Sequence, residues 1–445
     1  MAQSKLDRRL CRIRIFNADI KVDGITVITG NNNTGKSTIG KVFFTCFNSL
    51  CDIELKIEDI IIKKHYTEYM EIITDTLLAI PELENISRQF IRLCTRKLSD
   101  KFARNKGSID EIEIKKIIQD VGNRYGVEPQ NILIVQQIMI NLSQGKLVGL
   151  LTAKVDELDL EKEIVTRYFN LVFDGQINSL YDQKDANISI DIQGKELNLL
   201  FKDNKCQTID GNLTILHQAF YLDDPFIADE LDDRIRNLSF YDREQLLSTR
   251  EHLLWNLSDL QENNLNNVMD AVIFKDKLEE IDTLLNSVVE GEFLIDNDGL
   301  KLNQKKYKQP IKVSNLSTGL KSFVIIKRLL ELGNLRNKDI LILDEPEIHL
   351  HPEWQIIYAK LIVLLQQKFD LSIIVTTHSV EFLDAIDYYS KYYKINDKCN
   401  YYMSVEKDGG FAFQHIEDDL DKIYEKMIRP GLILDKLKYN LEENE

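Results

Sequence analysis

Apolar positions along this chain follow two rhythms. Short unbroken or alternating runs read as strands, and runs with apolar residues every three or four positions read as helices. Cys11 to Phe16 and Ile25 to Ile28 predict two strands, followed by a helix over Ile39 to Phe47 that ends near Asn48. From about 52 to 180 the rhythm is helical, with helices predicted over Arg88 to Lys106, Ile109 to Tyr125, Pro129 to Leu142 and Leu147 to Phe173. Strand character returns at Ile188 to Ile192, Leu197 to Phe201 and Leu213 to Leu222. The stretch 228–290 is polar, Leu-rich and helical. A hairpin is predicted next, from Glu292 to Ile295 and Leu300 to Leu302, turning at Asp296-Asn297-Asp298-Gly299. Beyond it lie a helix from Lys321 to Leu332 and two apolar strands, Leu341 to Leu343 and Ile373 to Val375. No internal repeat or low-complexity segment interrupts this order.

The stretch Gly30-Asn31-Asn32-Asn33-Thr34-Gly35-Lys36-Ser37-Thr38 fits the P-loop pattern G-x-x-x-x-G-K-[ST]. It sits between a predicted strand and a predicted helix, the context the motif requires. The glycines let successive N–H groups face one phosphate chain, and the helix N-terminus adds partial positive charge. Lys36 is expected to reach the β- and γ-phosphates of a nucleotide, and Ser37 to ligate Mg²⁺. Leu341-Ile342-Leu343-Asp344-Glu345-Pro346 is an apolar strand ending in two carboxylates. A buried parallel strand delivers such residues to the carboxyl edge of a sheet, where ligands bind. There Asp344 can hold Mg²⁺ through water, and Glu345 can polarise an attacking water. Ile373 to Thr377 is a second such strand, ending at His378, which can contact the γ-phosphate. Asn315-Leu316-Ser317-Thr318-Gly319-Leu320-Lys321-Ser322 opens a helix, and Ser317 and Gly319 make a second anion site there.

These motifs, in this order, resemble the ABC-type ATPase head: P-loop, signature, Walker B and switch histidine. The signature departs from the transporter form and is similar to the variants in RecF, SMC-like and OLD-family ATPases. The paired asparagines of the P-loop and the string Asp344-Glu345-Pro346-Glu347-Ile348-His349-Leu350-His351-Pro352 resemble the OLD-like group most. The resemblance implies an α/β fold with a mixed sheet, a helical insertion and a short helical arm. It divides the chain into an N-lobe with the P-loop (1–51), an insertion (52–180), the N-lobe continued (181–227), an arm (228–290) and a C-lobe (291–445). It implies ATP and Mg²⁺ as ligands, and hydrolysis in a homodimer or higher even-numbered homo-oligomer, where one subunit's Ser317 and Gly319 close the other's P-loop. No Q-loop is evident, and Gln218 reads as an ordinary strand residue. His349 and His351 permit metal ligation by spacing, but the resemblance places them in a D-loop at the dimer interface.

Composition narrows the partners. The chain has 445 residues, 44% hydrophobic and 29% charged, with a formal net charge of -16. A field of that sign repels nucleic acid, so any contact with DNA or RNA must come from a local basic patch. Arg88, Arg92 and Arg96, followed by Lys97, Lys101, Arg104 and Lys106, form one candidate stripe, which also reads as a solvated helix face. The six cysteines form no C-x-x-C pair, and no apolar run is long enough to span a membrane, so a cytoplasmic protein is expected. Three readings compete. The first is an ATPase subunit of an antiviral defence complex, resembling those of Septu, retron-associated and PARIS-type systems, with a separately encoded nuclease effector. The chain after His378 is too short for a Toprim domain and carries no HNH-like cluster, so no nuclease activity is expected from this chain alone. The second is a RecF- or SMC-like DNA maintenance ATPase; an arm of two roughly 25-residue helices would reach about 37 Å. The third, a transporter ATPase, is disfavoured by the signature and the long insertion.

Overall fold

A computed structural model describes residues 11–15, 18–79, 88–104, 110–125, 140, 156–179, 184–231, 248–258, 279–296, 299–407, 410–416 and 420–427. The chain divides into two compact units, Met1–Cys51 with Lys162–Glu445, and Asp52–Glu161.

The first unit is built around a six-stranded sheet in the order β14-β13-β3-β12-β11-β7. Its members are β3 (Ile25–Thr29), β7 (Ala219–Leu222), β11 (Ile340–Asp344), β12 (Ser372–Thr377), β13 (Cys399–Lys407) and β14 (Gly410–Ile416). All neighbouring pairs are parallel except the edge pair β13 and β14. Every residue of β3 is buried, and so are Ile340 to Leu343 and Ile373 to Thr377. Such unbroken burial follows from covering both faces of the sheet.

Alternate residues feed the two covers. On one face Ile28, Tyr221, Ile342 and Ile374 pack with Ile39, Val42, Phe43 and Phe47 of the helix Lys36–Leu50. A Cβ at Gly40 would stand 2.9 Å from Ile342 and 3.0 Å from Tyr221, so this helix lies closer to the sheet than a larger residue allows. The same helix meets a second, antiparallel sheet in the order β2-β1-β4-β5-β6. Its strands are β1 (Cys11–Ile15), β2 (Ala18–Val22), β4 (Ala186–Ile192), β5 (Lys195–Lys202) and β6 (Lys205–Gly211). In β5 the inward positions Leu197, Leu199 and Phe201 are buried and the others face outward, as one-sided burial dictates. On the other face of the central sheet, Val27, Phe220, Leu343 and Val375 pack with the helices Thr318–Glu331, Pro352–Phe369 and Val380–Tyr392. A small sheet of β8 (Glu292–Asp296), β9 (Gly299–Asn303) and β10 (Ile311–Lys312) leads into the first of these helices.

Several elements differ from the sequence expectation. The strand expected over Leu213 to Leu222 forms only at Ala219–Leu222. At its start side chains occupy backbone groups: Asn48 pairs with both backbone groups of Ala219, the first residue of the strand, on the side away from β11, and Asp339 accepts from the Gln218 N–H just before it. The helix expected from Lys321 begins at Thr318, with Ser317 as its N-cap. Strands β6, β13 and β14 were not expected from the apolar pattern. The polar stretch 228–290 is no free arm where it is described. Leu253, Leu254 and Leu257 of the helix Thr249–Leu257, and Ile281, Leu285 and Val289 further on, are buried in the core of the first unit. The middle of the expected arm, 232–247 and 259–278, lies outside the described residues.

In the second unit the helix Ile53–Leu78 packs on Arg88–Arg104, which packs on Glu111–Tyr125. Their facing sides bury Ile73, Phe90, Ile91, Cys94, Leu98, Ile114, Ile118 and Val121. The unit closes at Glu161, earlier than the boundary expected near 180. The helix Glu157–Phe173 crosses that boundary because Val165 and Phe169 are drawn into the core under β4 and β5. The helix expected over Pro129 to Leu142 lies outside the described residues, apart from Ile140. No helix among the described residues is long and apolar enough to cross a membrane.

Candidate functional site

The register of the parallel strands sets the site. Thr376 pairs with Ile28 on one side and with Asp344 on the other, so β3, β11 and β12 end at nearly the same level. Their carboxyl ends carry Gly30, Asp344-Glu345 and His378, a convergence that strand ends in open α/β sheets produce.

At the end of β3 the chain turns through Gly30, Asn33 and Gly35, whose φ angles of 152°, 60° and 88° lie in the left-handed region. Gly30 has a second reason to be glycine: its Cβ would lie 1.8 Å from Ser404 Oγ of β13. Thr34 Oγ1 donates to the Asn31 carbonyl at 2.9 Å and closes the loop. The helix Lys36–Leu50 has no side-chain cap and no acidic residue in its first turn, which leaves its N-terminus suited to an anion. Ser37 is half-buried in that turn and Thr38 is exposed. Lys36 folds back into the loop, where its Nζ donates to Gly30 O at 3.2 Å and Asn31 O at 3.0 Å.

The carboxylates are held by residues from other strands. Asp344 accepts from Thr376 Oγ1 at 2.5 Å and from the Tyr221 hydroxyl at 2.7 Å. Burial and the nearby Asp344 push the tyrosine hydroxyl well above its usual range, so it remains a donor. Glu345 adopts a left-handed φ of 50°, a conformation costing about 1–2 kcal/mol for a non-glycine residue. Its N–H is held by Thr376, to Oγ1 at 3.0 Å and to O at 3.2 Å.

That turn brings Glu345 Oε1 to 2.9 Å from His378 Nε2 and 3.8 Å from Lys36 Nζ, while Lys36 Nζ lies 2.7 Å from His378 Nε2. A single ring nitrogen cannot accept from the lysine and donate to the carboxylate at once. Burial, and then the Lys36 charge, hold His378 below its usual pKa, which favours the neutral ring accepting from Lys36. Glu345 is then balanced by the lysine charge. Burial also lowers Lys36, against the opposing pull of Glu345, Asp344 and Glu347.

His378 is fixed from behind by Glu347. This buried carboxylate accepts from the Thr377 hydroxyl at 2.6 Å and from the His378 N–H at 2.8 Å. Ser379 then caps the helix Val380–Tyr392 by accepting from Phe382 N–H at 3.1 Å. Tyr221, Thr376 and Glu347 were not singled out as site residues from sequence. Glu347 and Thr376 stand inside the motif strings, but what they contact depends on strand register.

The signature residues lie elsewhere in the unit. Ser317 is exposed, and its side chain makes no cap hydrogen bond. Gly319 is buried, and a Cβ there would meet the His349 carbonyl at 3.0 Å and the Trp354 ring at 3.2 Å. Lys321 is buried, 2.6 Å from Asp229 and 5.1 Å from the centre of the Phe226 ring. Among the described residues no hydrogen bond or ion pair joins Ser317 or Gly319 to the P-loop, Asp344, Glu345 or His378. His349 and His351 are exposed, and His349 sits edge-on to Phe226. Gln218 precedes β7, with its side-chain oxygen 3.3 Å from His252.

Two cavities adjoin the P-loop. One, of about 410 Å³, is lined by Gly30, Asn31, Glu345, His378, Met403 and Lys426. The other, of about 950 Å³, has aromatic walls from Phe173, Phe411 and Phe413 beside Asn33, Thr34 and Thr38. No group of three or more His, Cys, Asp and Glu among the described residues is arranged to hold a metal. The donors at hand are one carboxylate, Asp344, and the Ser37 hydroxyl. That set fits Mg²⁺, which takes few protein ligands and completes its shell with water and substrate phosphates.

A family profile described as "AAA domain, putative AbiEii toxin, Type IV TA system" matches residues 104–384, more than half of the chain. The chain belongs to this AAA-domain family. The matched stretch carries the signature, Asp344-Glu345 and His378, and it starts after the P-loop. No curated protein matches the sequence. Among solved structures, the chain is similar to the SMC head domain from Thermotoga maritima, at 11% identity and a TM-score of 0.37, covering 92% of this chain and 99% of that one. It is also similar to an SMC head bound to the C-winged helix domain of ScpA (11% identity, TM-score 0.41, covering 93% and 98%). An SMC head with an extended coiled coil derived from Pyrococcus furiosus, bound to the C-terminal domain of ScpA, gives 12%, 0.37, 96% and 98%. The fold is α/β, with a mixed sheet whose parallel strands β3, β11 and β12 carry the P-loop, Asp344 and His378 at their ends.

Proposed function

We propose that this member of the AAA-domain family binds and hydrolyses ATP as the regulatory subunit of an anti-phage defence complex, acting with a separately encoded nuclease effector. The observation that supports ATP chemistry most directly is the meeting of Lys36, Glu345 and His378 at one sheet edge, above an uncapped helix N-terminus. The family description, with its toxin and its Type IV toxin–antitoxin system, supports the defence setting.

In this reading the backbone from Gly30 through Asn31, Asn32, Asn33, Thr34 and Gly35 to Thr38 cradles the phosphates, and Lys36 leaves the Gly30 and Asn31 carbonyls for phosphate oxygens. Ser37 and Asp344 hold Mg²⁺, which neutralises phosphate charge when bound. Tyr221 and Thr376 orient Asp344. Glu345 accepts a proton from the attacking water, and neutral His378 contacts the γ-phosphate from a position set by Glu347. Ser317 and Gly319 serve the site of a second copy; among the described residues no hydrogen bond or ion pair joins them to the P-loop of their own chain. Hydrolysis therefore takes place in a homodimer or a larger even-numbered assembly. Nuclease activity belongs to the effector.

The test is nucleotide binding, turnover and oligomeric state for wild type, Lys36→Ala and Glu345→Gln. Lys36→Ala is expected to lose nucleotide binding. Glu345→Gln is expected to bind ATP, lose turnover and accumulate a closed dimer by light scattering. Full activity of a diluted monomer, or undiminished turnover by Glu345→Gln, would sink the proposal.

A further inference from the structure

The helix Arg88–Arg104 carries a second charged feature that the nucleotide chemistry does not use. Phe90, Ile91, Cys94 and Leu98 are buried along one side of it, which fixes which side faces outward. Arg88, Arg92 and Arg96 lie on the outward side and are all exposed. Their four-residue spacing stacks them at about 6 Å intervals along the axis, a row of about 12 Å.

Within the helix only Asp100, four residues beyond Arg96, can offset them. No acidic residue stands in its first turn, where a carboxylate would suit the helix dipole and an arginine does not. Like charges four apart on a helix repel, so Arg88 with Arg92, and Arg92 with Arg96, both work against the helix they belong to. Among the described residues none of the three arginines is joined to a carboxylate. On the neighbouring helix Glu111–Tyr125, Glu113 is paired with Lys101 at 2.7 Å and Glu111 with Lys115 at 2.6 Å. Positions that break local rules without a local benefit are where function is to be sought. On a chain of net charge -16, such a row is a local reversal of sign.

We propose that Arg88, Arg92 and Arg96 bind the phosphodiester backbone of a nucleic acid strand. Phosphates follow one another every 3.4 Å along the axis of a duplex strand, so a row of about 12 Å faces three or four of them. Guanidinium groups suit this partner because their planar donors match phosphate oxygens in pairs. Contacts of this kind position a strand without reading its sequence. The inference stands on the second unit alone and does not depend on ATP hydrolysis.

The test is fluorescence anisotropy of the full chain with labelled 20-mers: single-stranded DNA, duplex DNA and single-stranded RNA, each over a series of salt concentrations. Arg88→Gln/Arg92→Gln/Arg96→Gln is compared with wild type and with the charge-keeping Arg88→Lys/Arg92→Lys/Arg96→Lys variant, with circular dichroism and basal ATPase activity confirming that all are folded. Wild type is expected to bind at least one of the three probes. The glutamine variant is expected to weaken that binding at least tenfold at low salt and to flatten the slope of log Kd against log salt by about two to three, at 0.7–0.9 per phosphate. The lysine variant is expected to keep most of the slope. The probe bound best identifies the strand type. Absence of binding to all three probes, or an unchanged slope in the glutamine variant, overturns the proposal. So does binding to phosphatidylserine vesicles that the glutamine variant loses while oligonucleotides are ignored, an outcome that reassigns the row to a membrane surface.

Discussion

Glu347 offers the sharpest separation between a structural and a chemical role at the nucleotide site. Its carboxylate is buried and holds two donors, the Thr377 hydroxyl and the His378 N–H, through the same oxygen, Oε1. Glu347→Ala leaves both donors without their acceptor, and a buried unsatisfied donor costs about 1–3 kcal/mol. Two of them predict a loss of about 2–6 kcal/mol, enough to move a denaturant midpoint plainly. Glu347→Gln keeps an oxygen in place and removes the charge, so it is expected to lie within about 1 kcal/mol of wild type. The pH dependence has a definite sign. Burial raises the Glu347 pKa above its ordinary 4.5. Below 4.5 the group is protonated in both folded and unfolded chains, and the glutamine variant gains nothing from lacking the charge. As pH climbs through the raised folded value, the unfolded chain releases its proton more readily than the folded one, and wild type loses stability. Glu347→Gln should therefore gain on wild type from pH 4.5 upward and hold a constant advantage above the folded pKa. Urea unfolding followed by tryptophan fluorescence measures this, since both tryptophans, Trp255 and Trp354, belong to the first unit. Turnover should fall in Glu347→Ala and largely survive in Glu347→Gln, because only the first releases the His378 backbone. Equal stability of Glu347→Ala and wild type, or equal damage from alanine and glutamine, would refute the reasoning.

Two further perturbations test other contacts of the site. Tyr221→Phe removes a 2.7 Å hydrogen bond to Asp344 worth about 1.5–3 kcal/mol for a charged acceptor, and titration of ATPase activity with Mg²⁺ should show a raised metal requirement with ATP binding retained. Gly319→Val places side-chain atoms against the His349 carbonyl and the Trp354 ring, so ATP-dependent dimerisation measured by light scattering should fail while a single chain still binds nucleotide.

The strings from which the nucleotide site is proposed were legible in the sequence because they are short and contiguous. A glycine-flanked loop between a strand and a helix encodes its own conformation, as the left-handed turns at Gly30, Asn33 and Gly35 show. The apolar runs before Asp344 and His378 announced buried parallel strands, and their ends fall at one sheet edge. Tertiary structure alone decided what those ends touch. Tyr221 reaches Asp344 across 123 residues of sequence and Thr376 reaches it across 32, and both contacts exist only because β7, β11 and β12 pair in one register. The strand β13 beside the P-loop was illegible because polar Asn400 and Ser404 are buried within it and break the apolar pattern, yet it supplies the Ser404 that keeps Gly30 a glycine. The polar stretch after 228 misled for a related reason. Where it is described, it buries Leu253, Leu254, Leu257, Ile281 and Leu285 in a core built by distant segments, and periodicity reports that a face is apolar without reporting what will cover it. Local spacing therefore determined which chemistry the chain can carry. Strand register and shared burial, which no local window contains, decided which residues hold that chemistry in place.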